Sequence, residues 1–311
     1  MGSLLHSLSA VSVILILTAC GYVFSSLGWI RPDTKAFFSR YLMRFAVPVM
    51  CVYSLRTNLT LDLLRGSGRL LLVPAVTSAT LFALSYLVGR LLRLAPKQLC
   101  VFMMMSSLSN AVFIGYSMCL ELFGKASTPY AMTYYLVNTS FAQFVGVTMI
   151  RRSGGYGGHS PREAVLSFLK TPPIIGVLLG ILLILIDWTP PSLIMSCARY
   201  VNNTVTPLAL LLSGHIIREI GWKNLRLDRT LGLCMGFRFL AAPGLCLLMC
   251  ALLGVGGLGR SVLTVQTAMP VLTHTVVASA EYGGDEQLAA QGVAVTTLAC
   301  FVVIPVLMLL L

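Results

Sequence analysis

Long apolar runs separated by short polar turns dominate the chain. A helix that crosses a bilayer needs about 20 mostly apolar residues. Ten such runs fit, at roughly 7–28, 36–55, 70–90, 98–123, 129–150, 172–187, 192–216, 230–254, 258–281 and 287–311. The sixth is short, and the fourth and ninth carry polar residues near their midpoints. The expected fold is all-α and integral to the membrane, with ten transmembrane helices. The longest connection, 152–171, separates five spans (1–151) from five (172–311). Its Ser153-Gly154-Gly155-Tyr156-Gly157-Gly158 stretch reads as a flexible linker. It is no phosphate cradle, because no Lys-Ser/Thr follows it. Pro161-Arg162-Glu163 then opens a short amphipathic helix expected to lie at the membrane interface.

Composition sharpens this picture. Apolar residues make up 57% of the 311 and charged residues only 10%. Soluble domains carry about 25% charged residues, so a soluble enzyme, a disordered chain and a secreted disulfide scaffold are excluded. The net charge of +12 comes from 22 Lys+Arg against 10 Asp+Glu. Odd-numbered loops hold Arg31, Lys35, Arg90, Arg93, Lys97, Arg151, Arg152, Arg162, Lys170, Arg218, Lys223, Arg226 and Arg229. Even-numbered loops hold Arg56, Arg65, Arg69, Lys125 and Arg260. The bias places odd loops in the cytoplasm and both termini outside, in a multi-pass protein of the cell membrane. No basic patch with interleaved aromatics occurs, so nucleic acid is not an expected partner. The nine cysteines fall within or beside apolar runs and form no CxxC pair, so neither disulfides nor a metal site are inferred. Leu17-Thr18-Ala19-Cys20 has the look of a lipoprotein cleavage box, but the residues before it lack a basic leader, and the segment reads as the first span.

The two halves share an offset of 159 residues. Arg40-Tyr41 falls on Arg199-Tyr200, Pro48 on Pro207, Ser54 on Ser213 and Gly124 on Gly283. A repeat of five spans, an odd number, must have inverted topology, an arrangement common in secondary transporters whose sites lie where helices break. In span four Ser106, Ser107, Ser109 and Asn110 lie near the midpoint; in span nine Gln266, Thr267, Pro270, Thr273, His274 and Thr275 do. Ala111 and Pro270 correspond under the offset. Freed backbone groups in lipid cost several kcal/mol unless they face protein or a water-filled cavity. Paired interruptions therefore suggest a site, although such side chains also join helices to one another.

These segments resemble the auxin efflux carrier family, within the bile acid, arsenite and riboflavin transporter-like superfamily. Asn110-Ala111-Val112-Phe113-Ile114-Gly115 resembles that family's Asn-Thr-Gly-Phe-x-Gly-x-Pro stretch, with Ser117 in place of its proline. Thr206-Pro207-Leu208-Ala209-Leu210 followed by Gly214 is similar to its span-seven signature. Arg238 with Pro243, Ala268-Met269-Pro270, Glu281-Tyr282-Gly283-Gly284-Asp285, Thr297 and Pro305 match in order. The resemblance implies two inverted five-helix repeats, crossed and unwound helices four and nine, and a scaffold of spans 1, 2, 6 and 7. It implies a moving unit of spans 3–5 and 8–10, a small organic anion as substrate, and a homodimer. His274 stands where relatives commonly have Asn, which leaves the substrate open.

The candidate substrate-binding residues are Asn110, Ala111, Gly115, Pro270, Thr273, His274, Thr275 and Arg238. Asn110 can both donate and accept. His274 could bind an anion when charged or carry a coupling proton. Arg238 is an ionisable group inside span eight, which is costly and so points to function. All ten carboxylates lie at span edges or in loops, which disfavours a proton or sodium antiporter built on a buried acidic pair. Coupling to H+ or Na+ would need His274, hydroxyls, carbonyls or the substrate's own charge. No cofactor motif occurs. A channel or receptor of the same fold is the alternative. An intramembrane hydrolase using Gly115-Tyr116-Ser117 with His274 is disfavoured, because Met118 follows where such sites prefer glycine.

Overall fold

The computed structural model describes residues 2–58, 67–156, 161–221 and 227–311. Arg65, Lys223, Arg226 and the Gly157-Gly158 part of the linker lie outside them. The described residues are all-helical apart from one antiparallel bridge between Ser109 and Val271. In chain order the helices are α1 (Gly2–Ser26), α2 (32–58), α3 (Ser67–Leu91), α4 (Pro96–Ser107), α5 (Ala111–Phe123) and α6 (128–153). There follow α7 (Pro161–Leu169), α8 (Pro172–Leu185), α9 (Ser192–Ile220), α10 (Arg229–Leu253), α11 (Gly257–Thr267), α12 (His274–Tyr282) and α13 (Glu286–Met308). Span four is thus two helices, α4 and α5, and span nine is α11 and α12.

Local chemistry sets most boundaries. Pro32, Pro96 and Pro172 sit in the first turns of α2, α4 and α8, where a missing N–H costs nothing. The Asp228 side chain accepts the Leu231 N–H at 2.7 Å and Asp285 accepts the Leu288 N–H at 2.9 Å, capping α10 and α13. Gly124 and Gly283, equivalent under the 159 offset, close α5 and α12 with φ of 66° and 68°. Among the described residues, α13 and the stretches Leu8–Ser26, Gly68–Leu91 and Arg229–Leu253 are each long and apolar enough to cross a membrane. A π-helical turn interrupts α2 at Leu42–Ala46, α6 at Ala142–Val147 and α10 at Phe237–Ala241.

Close backbone approach builds one half of the molecule. A Cβ on Gly21 would lie 2.1 Å from the Leu211 carbonyl oxygen, and one on Gly214 would lie 1.9 Å from that of Thr18. The α1–α9 crossing therefore admits only hydrogen at both positions. Across the α8–α2 crossing, a Cβ on Gly180 would meet Leu55 Cδ1 at 3.0 Å. The 159 offset carries Gly21 onto Gly180 and Leu55 onto Gly214. The two crossings thus use equivalent positions. Gly214→Val should destabilise the protein by about 1–3 kcal/mol, the usual cost of forcing atoms into a packed contact. Thermal unfolding of the purified protein in detergent reads this as a lower midpoint, and an unchanged midpoint would contradict the crossing.

Two apolar cores result. One joins α1, α2, α8 and α9 to α3, α5, α6, α10, α11 and α13 through residues such as Ile14, Met50, Val73, Ile114, Val205, Cys246 and Val262. The other takes its buried members from α3, α4, α6, α10, α12, α13 and the two breaks, including Phe102, Met104, Leu108, Phe237 and Val271. Neither α1, α2, α8 nor α9 contributes a buried side chain to it.

Candidate functional site

Both interrupted spans open where local chemistry competes with the helix. Ser, Thr and Asn side chains offer the backbone alternative partners. Pro270 has no N–H and pushes the residue before it away from helical angles. After α4 the chain extends at Leu108 (φ −117°, ψ 141°). Ser109 then pairs antiparallel with Val271, and the Asn110 N–H donates to the Pro270 carbonyl at 2.8 Å. The neighbouring spans hold the backbone groups that the breaks free from helical pairing. Asn138 of α6 accepts the Ser109 N–H at 3.0 Å and donates to the Ser109 carbonyl at 2.9 Å. Thr296 Oγ1 of α13 accepts the Val271 N–H at 3.0 Å. In each half, the span that follows the break ties it down.

Asn110 does two things at once. Its Oδ1 accepts the Phe113 N–H at 3.2 Å, capping α5, and its Nδ2 donates to Thr273 Oγ1 at 3.1 Å. One side chain therefore links the start of α5 to the residue before α12.

The opposite ends of the break meet Arg238. This residue is fully buried, and among the described residues it is the one buried Lys or Arg. Its Nε and Nη2 donate to the Met269 carbonyl at 3.2 and 2.9 Å, Nη2 to that of Thr267 at 2.5 Å, and Nη1 to that of Ser106 at 3.4 Å. Those carbonyls lie at the C-terminal ends of α4 and α11, which have no helical partner. Each helix C-terminus carries roughly half a negative charge. Two together are about −1, which offsets the guanidinium without any carboxylate.

The N-terminal ends border open space instead. A cavity of about 290 Å³ is lined by Asn110, Ala111, Val112 and Phe113 from one break and by Leu272, Thr273, His274 and Val277 from the other. Tyr135, Asn138, Thr139 and Gln143 of α6 form a third wall. Lys35, Ser39 and Met43 of α2, Thr171, and Leu212 and Ile216 of α9 complete it. Helix N-termini carry roughly half a positive charge each and favour anions. Two of them give this mostly apolar cavity a positive polarity, and no carboxylate lines it.

Of the residues singled out in the sequence, Asn110, Ala111, Thr273 and His274 line the cavity. Gly115, Pro270, Thr275 and Arg238 do not. A Cβ on Gly115 would lie 2.3 Å from Gln266 Oε1, so Gly115 serves packing between α5 and α11. Pro270 is buried in the break and Thr275 in the first turn of α12. Ser117 Oγ donates to the Phe113 carbonyl and to Thr206 Oγ1, both at 3.1 Å, rather than to His274, so Ser117 and His274 do not pair. The sequence reading missed Lys35, Asn138 and Gln143. Asn138 and Gln143 stand out in the sequence as amides inside an apolar span, whereas Lys35 reads there only as a loop charge.

The family described as membrane transport protein matches residues 6–308, nearly the whole chain. The chain belongs to this family, that of the auxin efflux carriers. An uncharacterized transporter of Methanocaldococcus jannaschii is 24% identical over 302 residues, covering 96% of this chain and 96% of its own. This auxin efflux carrier relative is therefore a multi-pass membrane transporter.

Proposed function

We propose that the protein is a secondary carrier that moves a small organic anion by alternating access around the two broken spans. The observation that carries this reading is the cavity where the N-terminal ends of α5 and α12 meet. Its volume of about 290 Å³ lies at the low end for ligand pockets, which suits a small solute. Apolar walls with a few convergent amides, hydroxyls and positive ends suit a carboxylate on a compact apolar body. The ten spans form two inverted repeats, and the equivalent crossings at Gly21 and Gly180 support that symmetry. Spans 1, 2, 6 and 7 act as scaffold and spans 3–5 and 8–10 move. The core whose buried side chains all come from outside α1, α2, α8 and α9 supports this division. Lys35 and Thr171, from odd-numbered loops, reach the cavity. With odd loops cytoplasmic, this form faces the cytoplasm.

The test is uptake by proteoliposomes of three labelled acids: benzoate, phenylacetate and succinate. A carrier shows saturable uptake and accelerated exchange when the same acid is preloaded. Uptake without saturation or exchange would make the protein a channel, and no uptake of any of the three would count against the anion reading.

A further inference from the structure

The mouth of the cavity holds a charge cluster that the site so far described leaves unused. Lys35 lines the cavity, and its Nζ lies 2.5 Å from Glu219 Oε2 on α9. The same carboxylate oxygen lies 4.0 Å from His215 Nε2, one helical turn earlier. On the other side of the ring, His215 Nδ1 shares a hydrogen bond of 2.8 Å with Ser25 Oγ of α1. The His215 ring is buried, and Nε2 has no hydrogen-bond partner. Glu219 thus stands between two bases, bonded to one and about an ångström too far from the other. Arg218 is the remaining charge that faces this histidine.

We infer that Lys35 is a specificity-determining residue for anions and that the Glu219 carboxylate is its internal placeholder, displaced when a substrate carboxylate arrives. This rests on the anion reading above. The Lys35 and Glu219 side chains are 37% and 50% exposed, and exposed ion pairs are worth at most about 1 kcal/mol. The placeholder is therefore easily exchanged for a carboxylate that also gains the apolar walls and the two helix ends. The released Glu219 needs only a small side-chain rotation to reach His215 Nε2. A protonated His215 holds Glu219 in that position and leaves Lys35 free. Proton uptake at His215 and anion capture at Lys35 then favour one another, and such coupling is reciprocal. Because His215 lies on α9, in the scaffold, the proton stays on one side of the membrane. The effect is a tightening of anion affinity as the cytoplasm acidifies.

The experiment uses the full chain in proteoliposomes, with phenylacetate as the anion and phenylacetamide as its neutral counterpart. Glu219→Gln should lower the KM for phenylacetate about threefold to fivefold, the most that loss of an exposed ion pair allows. It should also flatten the fall in wild-type KM between pH 7 and pH 5. Lys35→Met should raise the phenylacetate KM at least as much and leave phenylacetamide competition unchanged, while Lys35→Arg stays near wild type. His215→Gln should carry phenylacetate with a KM that no longer depends on pH. An unchanged KM in Glu219→Gln, or equal losses for the acid and the amide in Lys35→Met, overturns the inference while the carrier reading stands. If the wild type neither carries phenylacetate nor exchanges it, the carrier reading for this acid fails and the inference falls with it.

Discussion

Arg238→Met should yield a protein that unfolds far more easily than the wild type and carries no solute. The side chain is buried and supplies four hydrogen bonds to three carbonyls at the C-terminal ends of α4 and α11. Methionine fills similar space but leaves those carbonyls unpaired and their partial negative charges uncompensated. Removing one partner from a buried charged arrangement costs about 3–5 kcal/mol. That is a large share of the 5–15 kcal/mol by which folded domains typically exceed their unfolded state. Arg238→Lys separates charge from geometry. An ammonium keeps the +1 but is compact, whereas the planar guanidinium spans the gap between Thr267, Met269 and Ser106. The lysine variant should therefore fall between methionine and wild type in both melting temperature and uptake. Wild-type stability in Arg238→Met would show that the carbonyls find other partners, and the neutralisation of the helix ends by Arg238 would be wrong.

This role could not be read from the sequence, and the reason is general. A charge inside an apolar span announces itself, so Arg238 was visible as important. Its partners are main-chain carbonyls, which every residue has, so no pattern of residue types marks them. The interruptions were legible because proline and clustered Ser, Thr and Asn bias the backbone locally. Asn110 and Thr273, 163 residues apart, could be matched only through the repeat, and the offset of 159 places them near but not opposite each other. The cavity's third wall follows from how α6 packs against both breaks, a tertiary fact. Lys35 was hidden for a different reason. The positive-inside rule already accounted for it, and nothing in 35 and 219 as positions says they meet. The pair Gly21 and Gly180, related by the 159 offset, is likewise two glycines among 27 until their contacts are known.

Asn110→Ala should abolish carboxylate uptake while leaving a folded protein in the membrane. The substitution removes a helix cap, at a cost of about 1 kcal/mol, and one hydrogen bond to Thr273, worth about as much. Neither is enough to unfold the chain. What is lost is the tie that holds the starts of α5 and α12 side by side, and with it the convergence of two positive helix ends on one solute. Asn110→Asp makes the electrostatic part of this reasoning testable alone. Aspartate caps as well as asparagine, so its carboxylate keeps the bond from the Phe113 N–H, and α5 should start unchanged. It also places a fixed negative charge between the two positive ends, where the substrate's own charge would sit. Phenylacetate uptake should then fall as far as in the alanine variant, with a melting temperature closer to wild type. If Asn110→Asp carried phenylacetate at the wild-type rate, the cavity would not be selecting anions by charge, and a neutral solute would be the better candidate. If only the alanine variant failed, Asn110 would matter for the shape of the break rather than for the charge it gathers.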